Sequence, residues 1–467
     1  MLTYYPWLQA SAFVLAYLLF CVGCYRRYQR RQPALSSVSE LDWLVAYASQ
    51  SGQAHALAEQ HTQQLREAGL RSQLLTLNQL DGEWLQRSTR LLLIVSTYGE
   101  GDPPDNGRFF LRHARQLNAL PSLQFAVLGL GDRHYAHFCA YAEQVFQTFV
   151  SLGAKAYRPL HTIDQLHTEQ LNHWYASWHD WLVAEGQAHG DNIERPTSNR
   201  ALSNPTYHPW RLTERQCVNE KAGENFSYLL TLRSSIPEQQ ALTWQAGDIA
   251  QVKVSDHQPS RDYTIASVPE EGHLQLFVRE RRNEHGTLGL ASGYLCQHAG
   301  MWDSVAIAIR RNPSFHPVND DSPLILIGNG TGLAGLRAHL MHRWLRGANA
   351  NWLIYGERDV RFDRPYQEEL AHWCDSGHIT RLDWVFSRSE TLPAGDSRQY
   401  YHHGYVQQML LQQADTLHEW LAKGAVIFVC GSRDGMAAGV DDVLLEQLGA
   451  EEVEQLLAAG RYCRDVY

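Results

Sequence analysis

Four times along this chain a short apolar run ends directly in a turn rich in glycine and hydroxyl side chains. Leu41 to Ala48 leads into Ser49-Gln50-Ser51-Gly52-Gln53-Ala54, and Leu91 to Val95 into Ser96-Thr97-Tyr98-Gly99-Glu100-Gly101-Asp102-Pro103-Pro104-Asp105-Asn106. Phe125 to Leu128 leads into Gly129-Leu130-Gly131-Asp132-Arg133-His134-Tyr135-Ala136-His137-Phe138-Cys139, and Leu324 to Gly328 into Asn329-Gly330-Thr331-Gly332-Leu333-Ala334. A strand buried in a parallel sheet reads as a continuous apolar run, and the carboxyl ends of such strands are where open α/β sheets bind ligands. Where a helix follows, as the spacing of Ala54 to Ala68 predicts, its first N–H groups favour a phosphate dianion. One such turn is ordinary turn chemistry. Three in the first half and a fourth in the second predict two nucleotide-binding systems on one polypeptide.

The chain has 467 residues, room for about three domains at roughly 100 to 200 residues each. Its formal charge of −10 argues against a general nucleic-acid binder, which needs surplus cations for phosphate contacts, and suits a partner with a basic docking face. The 8 cysteines are scattered, with only Cys21 and Cys24 close together, so reduced thiols and a cytoplasmic setting are expected. The 23 histidines form no two-His metal motif, and no metal site is expected.

Residues 1–25 carry no charged side chain, and Trp7 to Tyr25 is nearly all apolar, about enough helix to cross a hydrocarbon core of roughly 30 Å. Arg26, Arg27, Arg30 and Arg31 follow at once, which places the rest of the chain on the cytoplasmic side of a membrane, expected to be a bacterial inner membrane. A cleavable signal peptide would carry its cations before the apolar run. The alternative is a buried N-terminal helix, which the arginine cluster and the linker after it disfavour.

After Trp181 the chain turns polar and rich in Pro, Asn and Ser up to Pro209, a linker composition. Trp174, Trp178 and Trp181 before it have helical spacing and are expected to pack rather than relay electrons. Short alternating segments, Tyr228 to Leu232, Ile249 to Val254 and Leu274 to Val278, predict an antiparallel barrel. In Arg261-Asp262-Tyr263-Thr264-Ile265-Ala266-Ser267 a cation, an aromatic and a hydroxyl are expected on one strand face, where they could neutralise a pyrophosphate, stack on a flavin and hydrogen-bond it. Strands at Trp352 to Tyr355, Asp383 to Phe386 and Val426 to Cys430 continue a doubly wound pattern.

The three early loops resemble the FMN domain of the diflavin reductases. The second half resembles the ferredoxin-NADP reductase module, and the ending Arg461-Tyr462-Cys463-Arg464-Asp465-Val466-Tyr467 is similar to that of sulfite reductase flavoproteins. The resemblance implies a flavodoxin-like α/β domain, an antiparallel β-barrel FAD domain and a doubly wound α/β NADPH domain, in addition to one N-terminal transmembrane helix. The expected boundaries are 1–25 anchor, 26–40 basic juxtamembrane linker, 41–185 FMN domain, 186–209 linker, 210–318 FAD barrel and 319–467 NADPH domain.

Carried over position by position, it assigns Ser49, Gln50, Ser51, Gly52, Gln53 and Ala54 to the FMN phosphate. Tyr98 and Tyr135 would flank the FMN ring, with Thr97, Gly99, Gly131, Asp132 and Phe138 around it. Arg261, Tyr263 and Thr264 would bind FAD, and Gly289, Ala291 and Ser292 its pyrophosphate. Gly330, Thr331 and Gly332 would cradle NADPH, with Ser387, Arg388, His403, Tyr405 and Gln407 at its 2′-phosphate. Thr264, Cys430 and Asp465 would organise hydride transfer, and Tyr467 would cover the FAD ring and move aside for the nicotinamide.

The chain departs from the family pattern in four places. Gln53 stands where a hydroxyl residue is usual. His403 stands where Lys is common, which predicts weaker 2′-phosphate binding as His becomes neutral above about pH 6.5. Gly335 replaces a usual Pro and is expected to loosen the loop, and between Val254 and Arg261 there is no room for a connecting domain. The implied activity is NADPH to FAD to FMN to a one-electron acceptor, expected to be a haem or iron centre at the membrane. The alternatives are a sulfite reductase flavoprotein-type component or ferric-chelate reductase with a soluble acceptor, and, outside enzymes, a membrane-tethered flavin sensor or scaffold.

Overall fold

The computed structural model describes residues 41–50, 52–97, 101–189, 205–219, 226–235, 243–255, 258, 260–318 and 320–467. The expected anchor and juxtamembrane linker, residues 1–40, lie outside them. Among the described residues no helix is long and apolar enough to cross a membrane.

In the first unit, strands β1 (Trp43–Ala48), β2 (Ser72–Thr76), β3 (Arg90–Ser96), β4 (Gln124–Gly131) and β5 (Lys155–Ala156) form a parallel sheet in the order β2-β1-β3-β4-β5, and β6 (His161–Asp164) pairs with β4. The central strands β1, β3 and β4 are largely apolar and buried because helices cover both faces, giving one core on each side. The order reverses between β1 and β3, so the loops after these two strands flank the crevice where such sheets bind ligands. Trp178 and Trp181, on the helix Thr168–His189, pack against Trp43, whose ring centroid lies 4.4 Å from that of Trp181, and Trp174 joins the same core. Trp174 Nε1 donates to His61 Nε2 at 2.9 Å, and burial lowers the His61 pKa to about 4. The tryptophans are packing residues, as their spacing predicts.

The second unit is an antiparallel barrel of β7 (His208–Cys217), β8 (Ser227–Ser234), β9 (Ile249–Lys253), β10 (Arg261–Thr264), β11 (Leu274–Arg279) and β12 (Ser304–Arg310), ordered β10-β9-β12-β7-β8-β11. A bridge between Ile265 and Leu276 joins its two ends. Alternation fills the interior with Trp210, Leu212, Leu230, Val252, Leu276 and Ile307.

The third unit is a parallel sheet ordered β16-β15-β14-β13-β17-β18, made of β13 (Leu324–Asn329), β14 (Asn351–Glu357), β15 (Arg381–Phe386), β16 (Gln399–His403), β17 (Val426–Gly431) and β18 (Tyr462–Val466). Its order reverses between β13 and β17, which puts the Gly330 turn beside Cys430 at the switch point. Gly332 is required there by close approach: a Cβ on it would lie 2.0 Å from the Cys430 carbonyl oxygen. Barrel and sheet are joined by Arg337, whose buried guanidinium donates to Glu271, to Glu369 and to the Ala266 carbonyl.

Gly335 is not in a loop. It lies in the first turns of the helix Leu333–Arg346, where a Cβ would meet Thr264 Cγ2 at 3.0 Å and Cys430 Sγ at 3.3 Å. Its lack of a side chain admits those two groups rather than loosening a turn.

Candidate functional site

The carboxyl end of β10, the end of β17 and the last residues of the chain meet at one point. Thr264 Oγ1 donates to Asp465 Oδ2 at 2.6 Å, and the Cys430 thiol lies 3.8 Å from the same oxygen. Burial raises the Asp465 carboxyl above its ordinary range, opposed by the Thr264 hydroxyl. Burial also pushes the fully enclosed Cys430 thiol well up, with the Asp465 carboxylate adding to it, so this thiol stays protonated. Tyr467 lies just beyond, its hydroxyl 2.9 Å from Thr331 Oγ1. Residues about 200 apart in sequence are thereby brought together, and they include the three expected to organise hydride transfer.

Two cavities flank this point. One, of about 230 Å³, is lined by Arg261, Tyr263 and Thr264 on β10 and by Gly289, Ala291 and Ser292, and it contains every position expected at the FAD. The other, of about 640 Å³, opens over Gly330 and Thr331 at the switch point. Thr331, Tyr467, Arg279 and Arg281 line both. An aromatic therefore stands where the two cavities meet.

The expectation that Arg261, Tyr263 and Thr264 share one strand face fails on the period of the strand. Arg261 and Tyr263 are two apart, but Thr264 falls with Asp262, and these two line a smaller cavity with Arg310, Arg464 and Asp465. All four residues of β10, Asp262 and Thr264 included, also line the 230 Å³ cavity.

The larger cavity holds a group that sequence reasoning missed. Arg279, Arg281, Arg282 and Arg358 bring guanidinium side chains to its wall, and Arg279 is fixed by Glu357 at 2.6 Å. Their signal was visible as Arg279-Glu280-Arg281-Arg282 directly after an apolar strand. Ser387, Arg388, His403, Tyr405 and Gln407 stand along the same carboxyl edge, after β15 and β16, but do not line this cavity. Ser387 is turned to the Glu357 carbonyl by its N–H at 3.1 Å, and Arg388 N donates to the Arg358 carbonyl at 2.8 Å. Tyr405 is 58% exposed, so this edge is open to a ligand.

At the first sheet's switch point, Ser49, Gly52, Gln53 and Ala54 form the turn into the helix Gln53–Glu67. Gly52 has φ 80°, the left-handed region that glycine enters without cost. The hydroxyls of Ser49 and, on the neighbouring loop, Thr97 are buried and have no hydrogen-bond partner among the described residues. Two orphaned hydroxyls beside a helix N-terminus suit phosphate oxygens. Ser51, Tyr98 and Gly99 lie outside the described residues.

Gln50 turns away from this pair. It donates to the Asp105 carboxylate at 3.2 Å and accepts from the Asp105 N–H at 3.0 Å. In the third loop Tyr135 is 43% exposed, consistent with an open ring site. The Asp132 carboxylate accepts from His134 N at 2.8 Å and from Gln165 Nε2 at 2.8 Å, and so shapes its own loop. Phe138 packs on the domain core beneath Arg133, and a Cβ on Gly131 would press within 3.0 Å of it. Phe138 thus shapes the loop from beneath.

Comparison with known proteins agrees with this arrangement. Residues 45–178 match the Flavodoxin family and residues 326–442 match the Oxidoreductase NAD-binding domain family. The chain is 28% identical to the sulfite reductase [NADPH] flavoprotein alpha-component of Vibrio cholerae serotype O1 (strain N16961), covering 91% of this chain and 87% of that protein. The protein of the same description from Bacillus subtilis (strain 168) is 26% identical over 91% of this chain and 89% of its own length. That from Thiocapsa roseopersicina is 28% identical over 86% and 83%. The alignment to the Vibrio protein spans 547 positions, more than the whole of this 467-residue chain, so that relative carries segments this one lacks. The chain is an NADPH-dependent flavoprotein reductase in which a flavodoxin-like domain for FMN is joined to a ferredoxin-NADP reductase-like module for FAD and NADPH, similar over 91% of its length to the sulfite reductase flavoproteins.

Proposed function

We propose that this protein is the electron-supplying component of a sulfite reductase-type system, passing electrons from NADPH through FAD and FMN to a one-electron iron acceptor. The observation that carries the reading is the Thr264, Asp465 and Cys430 cluster, placed where the 230 and 640 Å³ cavities meet at Tyr467. When bound, FAD accepts hydride from NADPH and FMN hands electrons on singly. The chain's own residues do the rest. Asp465 Oδ2 holds the Thr264 proton, which leaves the lone pairs of Thr264 Oγ1 for a donor in the smaller cavity. Cys430, protonated and enclosed, keeps water from that point. Tyr467, held by Thr331, must swing out before a nicotinamide can reach Thr264. Arg279, Arg281, Arg282 and Arg358 supply the positive wall for the dinucleotide phosphates. Ser387, Arg388, His403, Tyr405 and Gln407 on the adjoining edge are assigned to the 2′-phosphate.

A second reading of the acceptor is favoured by one observation. Residues 1–25 are uncharged and largely apolar and are followed by four arginines within residues 26–31. A membrane tether with the catalytic units on the cytoplasmic side would confine FMN to the bilayer surface and suit a haem in a membrane partner. Coupling tests separate these readings. NADPH oxidation stimulated by a sulfite reductase haemoprotein, with sulfide formed, supports the first. No stimulation, together with a haem absorbance that co-purifies after mild detergent extraction, overturns it in favour of the second. Reduction of a ferric chelate alone, with neither, points to a soluble chelate acceptor.

A further inference from the structure

The last strand touches all three units. On β18 successive side chains point to opposite sides, so while Asp465 reaches Thr264 in the barrel, Arg464 reaches the flavodoxin-like domain. Arg464 Nε donates to Asp105 Oδ2 at 2.9 Å, and its Nη2 pairs with the other carboxylate oxygen. Asp105 is in turn gripped by Gln50 of the phosphate turn, and the neighbouring Asn106 Oδ1 accepts the Ser49 N–H at 2.8 Å. A connected set of polar contacts thus leads from the turn that carries Ser49 to the residue adjoining Asp465.

The contacts around it have one polarity. Arg108 pairs with Asp441, and Arg112 and His113 both pair with Glu454, His113 at 2.7 Å. These place Arg108, Arg112 and His113 of the flavodoxin-like domain on carboxylates of the helix Ala438–Ala458. Arg464 and Asp105 run the other way, cation on the reductase side, so this pair fixes register where the others supply attraction. The Arg464 and Asp105 side chains are only 15% and 16% exposed, and the contact is two-pronged. A partly buried, bidentate pair constrains geometry more than an exposed one and is costly to break by removing one partner.

We infer that Arg464 is a positioning residue that sets where the flavodoxin-like domain rests on the reductase half, and so registers the phosphate turn against the Thr264 and Asp465 site. The inference rests on the diflavin reading of the two halves. Its test uses the flavin-loaded full chain with Arg464→Ala, Arg464→Lys and Arg464→Glu, the last placing a carboxylate against Asp105 and Asp441. Compactness is read by small-angle X-ray scattering, and reduction of each flavin by NADPH in stopped flow.

The Glu variant is expected to have a larger radius of gyration than wild type and to reduce FMN about tenfold more slowly or worse, while FAD reduction stays within about twofold. The Lys variant should lie between wild type and Ala, because it keeps the charge and loses the fork. Raising salt to about 0.5 M should expand the wild type in the same direction, as screening shortens the reach of the flanking pairs. A Glu variant that stays as compact as wild type, with FMN reduction at the wild-type rate, overturns the proposal. Equal slowing of FAD and FMN reduction overturns it too, because Arg464 would then merely support the hydride site. The scattering result stands apart from electron flow, so a failure of the diflavin reading is distinguishable from a failure of this one.

Discussion

Asp465 sits where its charge is least welcome, and the position has consequences for both chemistry and stability. Its folded pKa is raised by burial, so the carboxylate form costs the folded state once pH exceeds the ordinary carboxylate value. The stability linked to the protonated form is fully present at low pH and is lost as pH rises through the raised pKa. Asp465→Asn should therefore raise the melting temperature at neutral pH while slowing FAD reduction by about a hundredfold, with flavin content unchanged. A calorimetric scan and a stopped-flow trace check the two halves of this prediction. At the phosphate turn, Ser49→Ala removes one of two orphaned hydroxyls, a loss of about 1.5–3 kcal/mol for a bond to a charged group, so FMN should bind roughly 10- to 100-fold more weakly. Equilibrium flavin titration reads it directly. Thr264, Cys430 and Asp465 were legible only through the resemblance, because nothing local in Arg261-Asp262-Tyr263-Thr264 says which side faces the chain's end. The missed arginines, Arg279, Arg281, Arg282 and Arg358, look in sequence like ordinary exposed strand ends.

Strands and the turns that follow them were legible at the element scale. Leu91 to Val95, Phe125 to Leu128 and Leu324 to Gly328 each fall inside an observed strand, with ends that differ by three residues or fewer. A buried parallel strand announces itself because both faces are apolar. Gly335 was misread because a glycine near a Gly-rich turn looks like more turn, whereas its bareness serves packing against Thr264 and Cys430. The tightest element contact is Gly332 against β17. Gly332→Ala would drive a Cβ into the Cys430 carbonyl, and the turn would have to move. A destabilisation of about 2 kcal/mol or more is expected, with a raised KM for NADPH and normal FMN content. Denaturant melts and steady-state kinetics on the same preparation test it.

At the scale of the whole molecule, composition and motif order predicted three units, but not how they are held. Ion pairs between residues far apart in sequence leave no periodic trace, and Arg337 with Glu271 and Glu369 is such a case. Arg337→Ala leaves two partly buried carboxylates unpaired at the seam between barrel and NADPH domain. It should cost about 3–5 kcal/mol and separate one melting transition of the reductase half into two. In the proposed function, the union of a flavodoxin-like domain with a two-cavity reductase half is what would convert hydride to single electrons. Flavin analysis of residues 39–467, joined to NADPH-driven reduction of a one-electron dye with NADH as the control, tests that union most directly. Equal amounts of FMN and FAD with turnover on NADPH well above that on NADH are predicted. FAD alone, with the dye reduced at the rate of FAD reduction, would contradict it and leave the flavodoxin-like domain without a redox role.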